Sequence, residues 1–543
     1  MGVSTFVLAD TSIDWVALSV FIVFFVLVTV LGFIAARWRR GDLNQIHEWG
    51  LAGRRFGTIV AWFLIGGDLY TAYTFIAVPG SLYAKGGIGF FAVPYTIIAW
   101  PLFFIVLPKF WTVAKNRGYV TGSDFVRDRF GSRTLALLVA ITGILATMPY
   151  IALQMVGIEV SVAQMGFNAE VALVIAFLIL AAYTYYSGLR APAMIAVVKD
   201  AMIYITVIVA LIVIPAHLGG FSHIFDAAAQ QGAANAAAAN AKIPPPATKA
   251  SFSLYLSPKL YLGYSTLALG SALALFLYPH ALTGVMSSKS RDVIKRNAAL
   301  LPIYSLLLGL IALLGYMALA VPIHINAKAG QTSNNAVPLL LSNIFPSWFA
   351  GFAFAAISIG ALVPAAVMSI AAANLFTRNI YKEYFRKNCS DREESNVAKT
   401  ASLVVKLGAL AFIIFLPTAT ATAINLQLLG GAWIIQTLPA VFLGLYTKWF
   451  HRYALILGWV GGMVAATWLA IANNYAAVTP VNLLGSSYIM MPAFAGFLVN
   501  LILCIVLTPL FQVAKLPQGQ DATTPADFEA EAVPAGIQPA AGD

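Results

Sequence analysis

Long runs of apolar residues, separated by short polar loops, dominate the chain from about residue 15 to residue 512. A helix of about 20 apolar residues is long enough to cross the ~30 Å hydrocarbon core of a bilayer. The pattern predicts thirteen transmembrane helices, spans 1 to 13, roughly at 15–37, 58–84, 89–113, 134–164, 169–188, 194–218, 259–287, 300–324, 347–376, 400–420, 424–447, 453–475 and 486–512. The sequence therefore predicts an all-α polytopic membrane protein.

Basic residues are distributed unequally between the two sets of loops. One set carries most of the Lys and Arg residues, beginning with Arg37, Arg39 and Arg40 after span 1. The opposite set keeps Lys85, Lys242, Lys249, Lys259 and Lys328. Because cytoplasmic loops are the basic ones in membrane proteins, the N-terminus is predicted outside and the C-terminus inside.

Composition agrees with a protein whose solvent is lipid. Hydrophobic residues make up 60% of the chain and charged residues only 10%, which is far from the balance of a water-soluble domain. The net charge of +11 comes from basic residues that lie between the apolar runs and do not form a basic domain, so nucleic acid is not an expected partner. Cys389 and Cys504 are too far apart to suggest a disulfide framework or a metal site.

The same pattern divides the chain into four parts. Residues 1–57 are predicted to form an extra transmembrane helix and a cytoplasmic loop, 58–450 a ten-helix core, and 451–515 two further helices. A long outer loop at 219–258 is low in complexity and is predicted to be mobile. The Pro- and Ala-rich segment 516–543 is predicted to be a disordered cytoplasmic tail.

Three carboxylates lie inside predicted spans and away from the span ends: Asp68, Glu159 and Asp200. An ionised group at the bilayer centre costs at least ~2.5–3.5 kcal/mol, so such residues are the first functional candidates. Glu159 is expected in the outer vestibule. Asp200 follows Lys199 near the start of span 6, where it is either the structural partner of that lysine or an ion-exit station.

Two spans carry signals of an interrupted helix. In span 2, Gly66 and Gly67 weaken the helix before Asp68, and Pro79 removes a backbone donor after it. In span 7, Gly270 lies midway and Pro279 follows. Broken helices mark transporter sites because a ligand, ion or water must satisfy the exposed backbone. Alternatively, the glycines mediate helix packing. Five helices start at each interrupted span, as an inverted five-plus-five repeat requires.

Five stretches carry a resemblance to a known family: TGSDFVRDRFGS (121–132), YIALQMVG (150–157), SGLRAPAMIAVVKD (187–200), YPHALTGVMSSKS (278–290) and TRNIYKEYFRK (377–387). Together they resemble the sodium:solute symporter superfamily, over nearly the whole chain except the tail and the outer loop. The resemblance implies a leucine-transporter-like fold. GGDLYTAYTFIAVPGSLYAKGGIGFF (66–91) is similar to the bacterial monocarboxylate-uptake permeases, which implies lactate, pyruvate and similar acids as substrates, and a place in the cytoplasmic (inner) membrane.

By this resemblance the substrate lies between spans 2, 4 and 7. The residues implied to bind it are Tyr70, Thr71, Tyr73, Gln154, Ser271, Tyr278 and His280, beside Asp68. Spans 2, 4 and 7 have no deep Lys or Arg, so a carboxylate would interact with helix N-termini, hydroxyl groups and His280. A buried histidine is more often structural than functional, and that reading stays open for His280.

The chain departs from the family pattern at the ion site. The family binds sodium through backbone carbonyls of the first broken core helix, which match Gly66 and Leu69, and through two adjacent hydroxyl side chains in core helix 8. In this chain that hydroxyl pair is replaced by Val363 and Pro364, which have no side-chain oxygen. A shift of one turn could recruit Ser358 or Ser369. The substitution favours a proton as the coupling ion over sodium.

A proton needs only one titratable group, and Asp68 beside the helix break can supply it. The sequence thus predicts a monomeric symporter without cofactor or metal that takes up short monocarboxylates, alanine among the candidates. The alternative is a sodium-coupled symporter for an amino acid or a vitamin. The tail is too short for the kinase of a membrane sensor, no nucleophile–base pair suggests an enzyme, and no filter-like repeat suggests a channel.

Overall fold

A computed structural model of the chain describes residues 12–35, 37, 41–67, 69–241, 251–323, 325–327, 330–415, 423–483 and 485–529. The helices of the N-terminal half are α1 (Trp15–Ala35), α2 (Ile46–Leu51), α3 (Thr58–Gly67), α4 (Val78–Lys85), α5 (Ala92–Asn116), α6 (Gly122–Phe130), α7 (Arg133–Ala163), α8 (Ala169–Ser187), α9 (Arg190–His217) and α10 (Phe221–Asn240).

The helices of the C-terminal half are α11 (Tyr261–Leu275), α12 (Pro279–Met286), α13 (Arg291–Leu300), α14 (Pro302–Ala312), α15 (Leu314–Leu319), α16 (Ala336–Ile344), α17 (Ser347–Phe376), α18 (Asp391–Phe415), α19 (Ala423–Ile434), α20 (Leu438–Val441), α21 (Arg452–Ala472) and α22 (Pro492–Val513). Between α21 and α22 the strands β1 (Thr479–Leu483) and β2 (Ser486–Met490) pair in an antiparallel hairpin, which the sequence did not predict.

The described residues contain ten helices that are long and apolar enough to cross a membrane, and α11 and α12 together form an eleventh, bent by 48°. Predicted spans 2 and 10 are not in this set. Span 2 is split into the short helices α3 and α4, and α18 occupies the place of span 10. The polytopic helical architecture is confirmed, and thirteen crossings with the N-terminus outside remain a prediction.

Helix α17 lies at the centre of the bundle. The most apolar stretch of α17, 18 residues long, is fully buried, because α1, α7 and α9 pack around this helix. Helix α3 packs against α9 and α13, and the segment after it approaches α17, where a Cβ atom on Gly360 would stand 3.7 Å from the Tyr70 carbonyl oxygen. The peripheral helices instead expose large apolar side chains such as Val23, Leu178 and Ile502, as expected for surfaces in contact with lipid chains. The broken part of span 2 is therefore deep inside the protein.

The segment between α9 and α11 is more ordered than the sequence predicts. The first half of the loop 219–258, predicted to be mobile, forms the helix α10. The prediction is wrong there because alanine has the highest helix propensity, and because Ile224, Ala228 and Gly232 form a buried stripe that packs near α15. Residues 242–250 of this loop lie outside the described residues.

The beginning of the tail also differs from the prediction. Residues 517–529 lie against α5 and α6, where the Ala522 N–H donates to the Asp128 carbonyl at 2.8 Å. The Asp521 carboxylate forms ion pairs with Arg129 at 3.0 Å and Lys448 at 2.7 Å. The prediction of disorder is thus wrong for residues 517–529, because acidic side chains of the tail form ion pairs with basic residues of the bundle. Residues 530–543 lie outside the described residues.

Electrostatics support this docking of the tail. Burial alone would raise the pKa of Asp521, but hydrogen bonds from Lys448 and Thr523 hold the pKa below its usual range. The Asn116 side chain donates to the carbonyls of Asp527 and Glu529 at 3.0 Å and 3.2 Å. The tail thereby joins the ends of α5 and α6 to the segment after α20.

Candidate transport site

The first predicted helix break is present in the structure. Helix α3 ends at Gly67, a π-helical turn covers Tyr73–Ala77, and α4 begins at Val78. Asp68, the predicted proton carrier, lies outside the described residues. Residues 69–71, before this turn, have no regular helical structure, so the N–H and C=O groups of the break need partners from elsewhere.

Side chains satisfy the N–H groups of this break. The Ala72 N–H donates to Oε1 of Gln154 at 3.1 Å, and Nε2 of Gln154 donates to the Tyr150 carbonyl at 3.3 Å. The Tyr73 N–H donates to Oγ1 of Thr71 at 3.0 Å. Gln154 and Thr71, both predicted to contact substrate, are therefore placed where they stabilise the unwound backbone.

The carbonyl groups of the first break face α9. The Lys199 ammonium donates to the Gly67 carbonyl and, at 3.0 Å, to the Tyr70 carbonyl. Asp200 lies 3.0 Å from the same ammonium and accepts a hydrogen bond of 2.7 Å from the Tyr304 hydroxyl. The Lys199 and Asp200 side chains are fully buried. Asp200 is thus the partner of Lys199, at the level of the break and not at the start of α9.

The glycine pair allows this close approach. A Cβ atom on Gly67 would stand 3.0 Å from Nζ of Lys199 and 3.1 Å from Oδ2 of Asp200. A Cβ atom on Gly66 would stand 2.5 Å from the Tyr304 ring. A side chain at either position would therefore push the charged pair or the tyrosine away from the backbone.

The two carbonyls predicted to bind sodium have partners inside the segment. The Gly66 carbonyl accepts from the Leu69 N–H at 2.9 Å, and the Leu69 carbonyl accepts from the Thr74 hydroxyl. Tyr70 turns toward α14, where its ring lies 4.5 Å from that of Tyr304. Each of the two predicted carbonyls therefore already accepts one hydrogen bond from within the segment.

Helix α17 forms the opposite wall of the first break. A Cβ atom on Gly360 would stand 3.7 Å from the Tyr70 carbonyl oxygen. One turn further, Val363 and Pro364 are buried and offer no side-chain oxygen. Of the two alternative hydroxyls, Ser369 donates to the Ala366 carbonyl at 2.8 Å, and Ser358 is buried without a hydrogen-bond partner among the described residues.

The second predicted break is present between α11 and α12. The Tyr278 hydroxyl donates to the Gln427 carbonyl at 3.1 Å. The rings of Tyr278 and His280 are 5.2 Å apart, and that of Tyr150 is 5.4 Å from Tyr278 and 5.5 Å from His280. The Ser271 hydroxyl on α11 is buried without a partner among the described residues. Three predicted substrate residues are thus on one interrupted helix.

Tyr73 connects the two breaks. Its ring lies 6.3 Å from that of Tyr95 on α5, and the electrostatic neighbours of its hydroxyl include Tyr150 and Tyr278. We call Tyr73, Tyr95, Tyr150, Tyr278 and His280 the aromatic cluster. The sequence analysis missed Tyr95 and Tyr150 as site residues, although Tyr150 is four residues before Gln154 and so on the same face of α7.

Glu159 is not part of either break. It is half-buried on α7, and its charged neighbour is Glu170 at the start of α8. A cavity of about 860 Å³ also lies elsewhere, between α7 and α18, with Ile144, Met148 and Val404 in its lining. Because Val404 is 60% exposed on the outside of the bundle, this cavity faces the lipid and we assign it no part in transport.

Comparisons with known proteins agree with this architecture. The sequence profile of the sodium:solute symporter family matches residues 49–461. The monocarboxylate transport permease protein of Rhizobium johnstonii is 51% identical over 93% of this chain and 99% of its own length. The uncharacterized symporter YodF of Bacillus subtilis is 33% identical, over 89% and 91% of the two chains.

A solved structure shares the fold. A Na⁺-coupled sialic acid symporter, in a substrate-bound outward-open state, superposes with a TM-score of 0.70 over 93% of this chain and 99% of its own, at 17% identity. The relatives are transporters and not enzymes. The ten apolar helices, together with the match to a bacterial symporter family, indicate a multi-pass protein of the inner membrane. The chain belongs to the sodium:solute symporter family.

Proposed function

We propose that this symporter couples the uptake of short monocarboxylates, such as lactate and pyruvate, to the entry of a proton. The observation that carries the choice of ion is the first break. The Gly66 and Leu69 carbonyls are hydrogen-bonded within the segment, and Val363 and Pro364 offer no side-chain oxygen. Because a bound sodium ion must exchange its hydration shell for protein oxygens, these residues provide too few ligands.

The second break supports a small anion as the substrate. The first N–H groups of a helix have no partner within that helix and carry a partial positive charge. Helix α12 begins at Pro279, with Tyr278 and His280 on either side of that position and the Ser271 hydroxyl on α11. A carboxylate can bind the N–H groups while its short carbon chain packs on the aromatic cluster.

The similarity to a monocarboxylate transport permease supports the same substrate class. A short acid has one carboxylate and few other polar atoms, so it needs one anion-binding helix end and an apolar, aromatic surface. Alanine, which adds an ammonium group, is a further candidate substrate. The protein is proposed to work as a monomer, with no cofactor.

The proton is assigned to Asp68 from its place in the sequence, next to the break. One proton carried on Asp68 and one bound monocarboxylate together move no net charge across the membrane, whereas either ion alone would move one charge. Access then alternates as the helices that contain the two breaks rock against the rest of the bundle.

The test is uptake of radiolabelled L-lactate and pyruvate into proteoliposomes, with an imposed pH gradient and an imposed sodium gradient in separate arms. We expect accumulation in the pH arm and none above the level of empty liposomes in the sodium arm. Accumulation that requires sodium would support the alternative, a sodium-coupled symporter, with the buried Ser358 hydroxyl as an ion ligand. Competition by unlabelled amino acids and vitamins tests the substrate class.

The role of Asp68 needs a second measurement. Asp68→Asn is expected to abolish accumulation driven by the pH gradient while it retains exchange of labelled for unlabelled lactate, because exchange needs no net proton movement. Asp14→Asn, on the residue just before α1, is the control and is expected to keep both activities. Full pH-driven accumulation by Asp68→Asn would show that Asp68 does not carry the proton.

A further inference from the structure

The unwound backbone at the first break already binds a cation, and that cation is a side chain. Inside a membrane protein the exposed carbonyls of a broken helix must be bonded by an ion, water or a protein group. In the described part of the break, the Lys199 ammonium bonds two of them, the carbonyls of Gly67 and Tyr70. The two carbonyls are on either side of residue 68.

The groups around Lys199 stabilise a positive charge. The side chains of Lys199 and Asp200 are both fully buried, 3.0 Å apart, and the Tyr304 hydroxyl holds the second carboxylate oxygen at 2.7 Å. A lone buried ammonium would be very costly, and a pair that is also hydrogen-bonded offsets that cost. The carboxylate and the two carbonyls form three sides of a cation site.

The remaining side of the cation site, formed by α17, explains why no dissolved ion is needed. Gly360 approaches the Tyr70 carbonyl, and Val363 and Pro364 one turn later have no side-chain oxygen. An ammonium group needs about three acceptors, whereas a bare metal ion needs more oxygens to replace its water. Among the described residues, the carbonyls of Gly67 and Tyr70 and one Asp200 carboxylate oxygen surround Nζ, which matches the first number.

From these contacts we propose that the Lys199 ammonium is a tethered cation that takes the place of a co-transported sodium ion at the first break, and that Lys199 determines the ion specificity of this symporter. This inference rests on the proposed absence of sodium coupling. It predicts that the carbonyls of Gly67 and Tyr70, with the Asp200 carboxylate, can bind sodium once the lysine side chain is removed, because water can then enter the space it leaves and supply the remaining oxygen ligands.

The test is sodium binding to purified full-length protein in detergent. Lys199→Ala leaves the carboxylate and both carbonyls without their cation. We expect saturable ²²Na⁺ binding by this variant and a Tm about 2–4 °C higher in NaCl than in choline chloride, because a ligand stabilises the state that binds it. Wild-type protein is expected to bind no ²²Na⁺ and to melt at the same temperature in both salts.

Two control variants separate this site from general effects of charge. Lys406→Ala removes another fully buried lysine, on α18, and is expected to bind no sodium. Lys199→Ala/Asp200→Asn removes the carboxylate as well and is expected to lose the sodium binding that Lys199→Ala gains. Equal sodium binding by Lys406→Ala would show a non-specific effect and overturn the proposal.

The variants also stay informative if they fold poorly. Recovery of Lys199→Ala as a monodisperse protein in NaCl but not in choline chloride supports the proposal. Lys199→Ser is the second variant, since its hydroxyl adds an oxygen ligand for the ion. If neither variant binds sodium or is recovered in either salt, sodium cannot replace the ammonium and the proposal is wrong. Sodium binding by the wild type would instead refute the proposed function itself.

Discussion

The two interrupted helices solve the same backbone problem with different partners. At the first break, protein groups bond both kinds of backbone group. The Lys199 ammonium binds the carbonyls of Gly67 and Tyr70, and Gln154 accepts from the Ala72 N–H. Every one of these partners belongs to another helix, so the unwound segment is fixed by α7 and α9.

At the second break, the described contacts fix the side chains more than the backbone of α12. The Tyr278 hydroxyl reaches the Gln427 carbonyl, and the rings of Tyr150 and His280 pack around it. The first N–H groups of α12 follow directly, with the unpartnered Ser271 hydroxyl on the helix before them. The N-terminal end of α12 is therefore suited to a ligand that binds and dissociates.

The difference teaches how a single fold can separate the proposed ion site from the proposed substrate site. The carbonyl end of α3 carries partial negative charge and binds a positive group, whereas the N–H end of α12 carries partial positive charge and suits an anion. The breaks are therefore not equivalent, and substitutions at the first should affect folding more than substrate affinity.

The largest effect is expected from Asp200→Asn. The amide keeps an oxygen for the Tyr304 hydroxyl but leaves the Lys199 charge buried without a counter-charge, which costs about 3–5 kcal/mol. We expect a large loss of folded protein and of Tm, measured by size-exclusion chromatography after heating. Asp226→Asn on α10 is the control, and a Tm for Asp200→Asn within about 1 °C of the wild type would contradict the pairing.

Next in size is Gln154→Leu. This change removes the acceptor of the Ala72 N–H inside the protein, and an unsatisfied buried donor costs about 1–3 kcal/mol. We expect maximal lactate uptake to fall about tenfold with little change in KM, because the hydrogen bonds of the Gln154 side chain go to the backbone of the break and of α7. A rise in KM at unchanged maximal rate would instead place Gln154 in the substrate site, and Gln231→Leu on α10 serves as the control.

A smaller effect is expected from Gly67→Ala. The new methyl group would stand 3.0 Å from the Lys199 ammonium and displace it, at a cost of about 1 kcal/mol. Uptake is expected to fall severalfold. Gly57→Ala, where a Cβ meets nothing within 4 Å, should leave uptake unchanged, and equal effects of the two changes would show that the space around Lys199 is not limiting.

The smallest effect should distinguish the breaks most clearly. Tyr278→Phe loses one hydrogen bond next to the N-terminus of α12, worth about 0.5–1.5 kcal/mol, and the KM for lactate is expected to rise about threefold to tenfold. Tyr70→Phe loses only a long contact of 3.4 Å to the Tyr304 carbonyl and should keep the wild-type KM. The comparison fails if both changes raise KM alike.

Much of the architecture could be predicted from local signals. Apolar length predicts the spans, and the glycine pair at Gly66 and the proline at Pro279 predict both breaks, because these residues act on the backbone where they occur. The departures at Val363 and Pro364 could also be read directly, since a missing oxygen is a property of the residue itself.

The rest depended on contacts between distant segments. Lys199 and Gly67 are 132 residues apart, and the rotation of α9 that brings them together is set by packing against α17 and α3. The tail looked disordered because its Pro- and Ala-rich composition gives no core of its own, yet Arg129 and Lys448 supply its partners. Sequence composition cannot reveal which charged surface a polar segment will meet.

The bonding of the Lys199 ammonium to two backbone carbonyls has a consequence for the conditions in which the protein works. A dissolved ion occupies such carbonyls in proportion to its concentration in the medium, whereas a group attached to the chain has an effective concentration fixed by its tether. The first break should therefore be equally well ordered in fresh water and in brine.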